Sequence, residues 1–250
     1  MGDIHGAYRA LKECLGEAGF DYEGDRLIQL GDITDGYEEV YECVEELLKI
    51  RQLIAIRGNH DQWFLEFIRT GSHPRNWSNG AEGTARSYWK HAGGRSPAKT
   101  KRKSFVGLLK PELIPESHRK FFLSQRLYYI DRARNCFVHA GFDRHRSFRG
   151  QEPETYYWDR ELWEEALLFE LFRLRADTVL TFPMRTSFRE VFIGHTPTQN
   201  WDTDRPMKAA NIYDLDTGCG HGGPLTMMEL SSKEVFQSRP SSRLYKKNYR

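Results

Sequence analysis

Leu27-Ile28-Gln29-Leu30-Gly31-Asp32-Ile33-Thr34-Asp35 is a short apolar run that stops at a glycine and a carboxylate. A run of that length reads as a buried strand, and its polar end falls where such a strand would deliver a side chain into a loop. The pattern repeats downstream, where Leu53-Ile54-Ala55-Ile56 ends in Arg57-Gly58-Asn59-His60. Between the two, Val40, Val44, Leu47 and Leu48 recur at helical spacing, and upstream Tyr8, Leu11, Cys14, Leu15 and Ala18 do the same. Strand–helix–strand alternation predicts a parallel sheet covered by helices, an α/β fold. Further strands are expected at Cys136-Phe137-Val138, Val191-Phe192-Ile193, Ile212 to Leu215 and Leu225 to Leu230.

The polar residues at the strand ends share a chemistry. Asp32, Asn59, His139 and His195 each follow an apolar run by one to three residues. Asp3 and His5 sit where such a run would have ended, although only Met1 precedes Gly2-Asp3-Ile4-His5-Gly6. A first core strand is therefore expected to be missing, through a truncated start. In open α/β sheets ligands bind outside the carboxyl ends of the strands, so these six side chains should converge on one edge. Carboxylate, amide oxygen and imidazole together suit manganese, iron or zinc, and no cysteine is implicated. Six ligands exceed one tetrahedral site, which predicts two ions sharing a carboxylate.

Length and composition bound the rest. A chain of 250 residues, 39% apolar and 29% charged, fits one large domain, and no apolar run approaches the roughly 18–20 residues of a membrane-spanning helix. Cys14, Cys43, Cys136 and Cys219 are scattered without a CxxC pair, which suits a reducing cytoplasm. The net charge of +2 is uneven: the last twelve residues carry five basic side chains and no acid. The expected organisation is a domain over residues 1–238, with a basic, partly helical insertion at about 70–125 lying over the sheet, and a basic, disordered tail at 239–250. The insertion holds eight basic residues and no acid between Gly83 and Pro111, a composition that reads as a solvated loop able to steer anions. No nucleic-acid-binding module accompanies these charges. Oligomeric state is left open.

In order along the chain, Gly2-Asp3-Ile4-His5-Gly6, Gly31-Asp32-Ile33-Thr34-Asp35, Gly58-Asn59-His60-Asp61, Val138-His139-Ala140-Gly141 and Gly194-His195-Thr196 resemble the signatures of calcineurin-like metallophosphoesterases. Within that superfamily the sequence is most similar to the bacterial and phage serine/threonine phosphoprotein phosphatases. Trp158-Asp159-Arg160-Glu161 and Asp216-Thr217-Gly218 resemble its late segments. The resemblance implies a two-sheet β-sandwich flanked by helices, α/β/β/α. It also implies two divalent ions, Mn2+ in the first place with Fe or Zn as alternatives. Asp3 and His5 would hold one ion, Asp32 would bridge, and Asn59, His139 and His195 would complete the other. His60, oriented by Asp35, would be the general acid, and Arg160 would grip the phosphate.

The implied reaction is in-line attack of a metal-bridging hydroxide on the phosphorus of a phosphorylated protein or a small phosphate ester. Hydrolysis of a dinucleoside polyphosphate, and a catalytically impaired phosphate-binding module, are the alternatives. One departure bears on substrate binding: the family usually has an arginine after Asp35, where this chain has Gly36. Arg57, or a basic residue of the insertion, is expected to compensate.

Other signals read as structural. Asp216-Thr217-Gly218 has no second copy to form an aspartic-protease pair. Cys219 and His221 lie in a glycine-rich turn. His73, His91, His118 and His145 are expected at the surface. Trp63, Phe64, Phe67 and Ile68 are expected in the core, and core packing is also the first expectation for the aromatics from Tyr156 to Phe172, a substrate groove the second.

Overall fold

The computed structural model of the chain describes residues 1–74, 77, 79–93, 105–173 and 180–250. The first third alternates as the sequence predicts: α1 (Tyr8–Glu17), β1 (Arg26–Gln29), α2 (Val40–Leu47), β2 (Gln52–Ala55) and α3 (Asn59–Thr70). There follow α4 (Ala81–His91), α5 (Glu116–Ser124), β3 (Tyr128–Ile130), β4 (Cys136–Val138), α6 (Pro153–Trp158) and α7 (Glu161–Arg173). The chain closes with β5 (Val191–Ile193), β6 (Met207–Ala209), β7 (Ile212–Asp214), β8 (Thr226–Met228), β9 (Val235–Gln237) and α8 (Ser241–Leu244).

Two sheets face each other. One has the order β3-β4-β5-β7-β6, parallel through β4, β5 and β7 with an antiparallel strand at each edge. In the other, β1 pairs in parallel with β2, and β8 pairs antiparallel with β9. Met1 and Gly2 join these two pairs: the Met1 amino group donates to Ile28 O, Leu30 N donates to Met1 O, and Gly2 N donates to Thr226 O. Period-two alternation divides the strand residues between layers. Phe192 meets Leu30, Ile56, Phe137, Tyr213 and Leu215 between the sheets, while its neighbours Val191 and Ile193 pack with Leu162, Trp163 and Ala166 of α7. Leu27 turns the other way, towards Leu11, Leu15, Val44 and Leu47 of α1 and α2. The layers are therefore helix, sheet, sheet, helix, the α/β/β/α sandwich that the family resemblance implies.

The first strand is missing as expected, and three other expectations change: the placement of the insertion, the tail and His118. A full first strand is absent from the described residues, and an apolar cleft of about 260 Å³ lined by Ile28, Phe137, Phe192 and Met227 opens there. Met1 and Gly2 nonetheless secure the loop that follows, because both are bonded into the sheet. The insertion does not lie over a sheet: α4 and α5 join the helical layer, where Tyr88 and Phe122 pack on Phe64. Its most basic part, Arg95 to Lys103, lies outside the described residues.

The tail is not disordered. Ser241 N donates to Gly223 O at 2.8 Å, and the Tyr245 ring stacks on Tyr37 at 4.3 Å. Two aromatic rings among the basic residues give the tail apolar surface to bury, which a count of charges overlooks. His118 is also misassigned as a surface residue, since it is fully buried between Tyr88 Oη at 2.9 Å and Glu45 Oε1 at 2.7 Å.

Candidate active site

All six expected ligand residues come together at the carboxyl edges of the strands. Asp3 and His5 follow the Met1–Gly2 segment, Asp32 follows β1, Asn59 opens α3 after β2, His139 follows β4 and His195 follows β5. Every one of them is buried. Their donor atoms form two groups, Asp3–His5–Asp32 and Asp32–His139–His195, and within each group the atoms lie inside 4.8 Å of one another. Asp32 belongs to both. Asn59 adjoins the second group, its Oδ1 3.2 Å from His139 Nε2.

The imidazoles are oriented for this. His5 Nδ1–H donates to Thr34 O at 3.0 Å and His139 Nδ1–H donates to Leu30 O at 2.8 Å, which leaves the Nε2 lone pair of each facing the cluster. Asp3 Oδ1 and His195 Nε2 are buried without a hydrogen-bond partner. Such orphaned acceptors are costly unless something positive meets them. Burial, then repulsion from Asp216 and Asp32, drives the Asp3 carboxyl well above its ordinary pKa. Burial, then the Arg250 charge, pushes His5 well below the ordinary histidine range. Burial, then the neighbouring His139, does the same to His195. The donors thus fit divalent cations: carboxylate and amide oxygens with imidazole nitrogens, two of the buried atoms without a partner among the described residues.

A second constellation stands beside the first. His60 Nδ1–H donates to Asp35 Oδ2 at 2.7 Å, and the same carboxylate accepts from Trp77 Nε1 at 2.9 Å and Thr84 Oγ1 at 2.7 Å. Asp35 is thereby fixed from three sides, and it fixes the ring whose Nε2 points away from it. Neither Trp77 nor Thr84 was legible as a site residue, because both lie in the compositionally loose insertion and act only through Asp35. Asp61 performs a further task the sequence does not announce. Its Oδ1 accepts from Ile33 N at 2.9 Å and Thr34 N at 3.1 Å, tying the Asp32 loop to the first turn of α3.

The phosphate-binding expectations separate. Arg160 Nη1 donates to Thr196 Oγ1 at 3.0 Å, beside His195. Arg57, expected to compensate for Gly36, instead donates to Gln62 Oε1 at 3.3 Å and Gln125 O at 3.2 Å. The guanidinium at the site belongs to Arg250, whose Nη1 touches His5 Nε2 and whose Nη2 lies 3.2 Å from His60 Nε2. Two indoles also line this edge. The Trp63 ring, partly buried against the core as expected, meets His60 at 4.9 Å, and Trp158, 41% exposed, meets His195 at 5.7 Å and Trp63 at 5.4 Å, so Trp158 is not the core residue expected.

Known proteins resemble this chain in sequence and fold. The family model for calcineurin-like phosphoesterases matches residues 1–209. Serine/threonine-protein phosphatase 1 of Salmonella typhimurium strain LT2 is 27% identical, covering 92% of this chain and 90% of its own. A symmetrical bis(5'-nucleosyl)-tetraphosphatase of Pseudomonas fluorescens strain SBW25 is 22% identical over 98% of this chain and 95% of its own. Among solved structures, a candidate diadenosine tetraphosphatase superposes with a TM-score of 0.62 at 17% identity, covering 94% of this chain and 90% of its own. The cold-active protein-tyrosine phosphatase of a psychrophilic Shewanella species does so at 0.54 and 13% identity, covering 96% and 79%. At those identities the superpositions speak for the fold.

Proposed function

This chain belongs to the calcineurin-like phosphoesterase family, and from that premise we infer that it is a serine/threonine phosphoprotein phosphatase working with two divalent ions, Mn2+ in the first place. The observation that carries the reading is the pair of donor groups sharing Asp32, beside a histidine held by a buried carboxylate. Asp3, His5 and Asp32 would hold one ion, and Asp32, Asn59, His139 and His195 the other. Two such cations stabilise the charge developing on both oxygens of an in-line displacement and supply hydroxide near neutral pH.

The protein's own groups do the rest. His60 protonates the leaving oxygen from Nε2, and Asp35 keeps the proton-bearing tautomer in register and stabilises the imidazolium. Arg160, anchored beside His195, offers a guanidinium to the phosphoryl oxygens. Retention of all six ligand residues and of the Asp35–His60 pair argues for turnover over a phosphate-binding module. The assignment to phosphoproteins is supported by the Salmonella relative, which this chain covers almost end to end. Hydrolysis of dinucleoside tetraphosphates is the second reading, favoured by the exposed Trp158 at the mouth, an indole face on which a nucleobase could stack. Four buried, unpaired cysteines accord with a reducing compartment, the cytoplasm. Among the described residues no helix is long and apolar enough to cross a membrane.

The test is Mn2+-dependent release of p-nitrophenol from p-nitrophenyl phosphate by the protein and by Asp32→Asn. The substitution should abolish turnover and lower the bound manganese. No turnover from folded, manganese-loaded wild-type protein would sink the enzymatic reading. Comparing a phosphoserine peptide with diadenosine tetraphosphate then decides between the two substrate classes.

A further inference from the structure

We propose that Arg250, carried into the site by the C-terminal tail, is a substrate-binding residue that grips the phosphoryl group of the ester; the proposal rests on the phosphatase reading above. Its side chain passes between three glycines. A Cβ built on Gly36 would lie 3.6 Å from Arg250 Cδ, one on Gly80 2.9 Å from its Cγ, and one on Gly220 2.5 Å from its Nη1. Any larger residue at Gly80 or Gly220 would obstruct the slot.

The tail is built to hold this position. Tyr249 N donates to Gly36 O at 3.0 Å, Asn248 Nδ2 donates to Gly220 O at 2.7 Å, and Arg250 N donates to Asn248 Oδ1 at 3.1 Å. The Tyr249 hydroxyl bonds Glu38 at 3.1 Å, and its ring lies under the Arg86 guanidinium. The contacts to Gly36 and Glu38 fall on the loop that follows Asp35, while those to Gly220 and Arg86 reach the turn after β7 and α4, so the tail is registered against the Asp35 loop and its neighbours.

The guanidinium at the end of this anchor is short of an anion. Among the described residues no carboxylate lies within ion-pair distance of it, the buried Asp216 feels its charge only from farther off, and its side-chain hydrogen-bond contacts are two imidazole nitrogens, His5 Nε2 and His60 Nε2. The proposed function commits both of these, the first to a cation and the second to carrying the proton for the leaving group. In the loaded enzyme neither accepts from Arg250, and a guanidinium beside two cations is repelled unless an anion lies between. A phosphoryl group bound by those cations supplies that anion at the same edge, where a planar fork of donors matches its oxygens. Arg160 stands by His195 and Arg250 by His5, so the two guanidinium groups would approach the phosphate from opposite ends of the cluster.

The experiment compares wild type, Arg250→Ala and Arg250→Lys, each loaded with Mn2+, by titration calorimetry with inorganic phosphate and by kinetics on p-nitrophenyl phosphate. Loss of a charge-assisted contact predicts that Arg250→Ala weakens phosphate binding and raises KM by about 10- to 100-fold. Arg250→Lys should recover part of this, manganese stoichiometry should be unchanged, and millimolar guanidinium should partly restore KM in Arg250→Ala alone. Unchanged phosphate affinity would overturn the proposal and leave the tail a structural strap. A rise in activity would overturn it in favour of a plug that blocks the site. If wild type binds phosphate but does not turn over p-nitrophenyl phosphate, the phosphatase reading fails while the calorimetry still decides whether Arg250 binds the anion. Should Arg250→Ala not fold, the lysine variant carries the same comparison.

Discussion

His5, Asp32, Asp35 and His195 all adopt positive φ, between 52° and 70°, although none is a glycine. A side chain in the left-handed region costs of order 1 kcal/mol or more, and such residues persist where surrounding structure over-determines them. Here the reason is visible. His5, Asp32 and His195 each turn a donor back into the cluster, and Asp35 turns its carboxylate onto His60. The close approaches beside them need bare backbone: a Cβ on Gly58 would fall 2.0 Å from Asp32 Oδ1, and one on Gly194 2.2 Å from Asp3 Oδ1. At this scale the acid role proposed for His60 is the most exposed to test. His60→Gln should lower kcat by about 10²–10⁴ on phenyl phosphate. The loss should be much smaller on p-nitrophenyl phosphate, whose leaving group needs little protonation. Asp35→Asn should show the same leaving-group dependence with a smaller loss, since the ring remains but loses its orienting charge. Equal losses on both esters would remove His60 from the acid role.

At the scale of elements, the helices act as clamps as well as cover. The first turn of α3 carries Asn59, His60 and Asp61 together, and His60 N donates to Asp32 Oδ1 at 3.0 Å. The helix start therefore holds Asp32 while presenting Asn59 and His60 to the same edge. Farther off, α1 and α2 are joined through Glu46, whose carboxylate accepts from Lys12 at 2.7 Å, Lys49 at 2.7 Å and Tyr22 at 2.5 Å. Burial works to raise this carboxyl, but the bonds from Lys12, Lys49 and Tyr22 outweigh it and bring its pKa down to about 2. A carboxylate depressed in the folded state stabilises the protein above its unfolded pKa and stops doing so as pH falls through the folded value. Glu46→Gln should therefore cost about 1–2 kcal/mol at pH 7, allowing for solvent around the two half-exposed lysines. That difference should shrink between about pH 4.5 and pH 2, as read from urea unfolding at a series of pH values.

The molecule as a whole is two sheets closed on an aromatic seam, Phe137, Phe192 and Tyr213, stacked across β4, β5 and β7 at 5.0 and 5.1 Å. That seam fixes the distance between the sheets and hence between the ligand groups, because one group draws on both: Asp32 comes from the first sheet, His139 and His195 from the second. Buried acceptors gathered from two layers repel one another when no cation is present. Saturating Mn2+ should consequently stabilise the native state, by about 2.7 kcal/mol at a hundredfold excess over its dissociation constant. A chelator should lower the melting temperature, and Asp32→Asn should lose most of the manganese-dependent increment. A melting temperature indifferent to manganese in wild type would speak against cations at these donors.

Asp32, Asn59, His139 and His195 were legible in sequence because each follows a strand, whose end is marked by local signals (an apolar run, a glycine, a polar side chain), and Asp3 and His5 because they sit where such a run would have ended. Periodicity by itself made legible a parallel sheet covered by helices; the α/β/β/α layering was implied by the family resemblance. The tertiary structure alone decided the remainder. Trp77, Thr84 and Arg250 come from segments whose composition reads as loop or tail, and their partners lie 42, 49 and 245 residues away. Contacts between segments so far apart leave no periodic trace. They arise when the packed sandwich brings an unpaired buried carboxylate, or a slot between glycines, within reach of a side chain that can satisfy it.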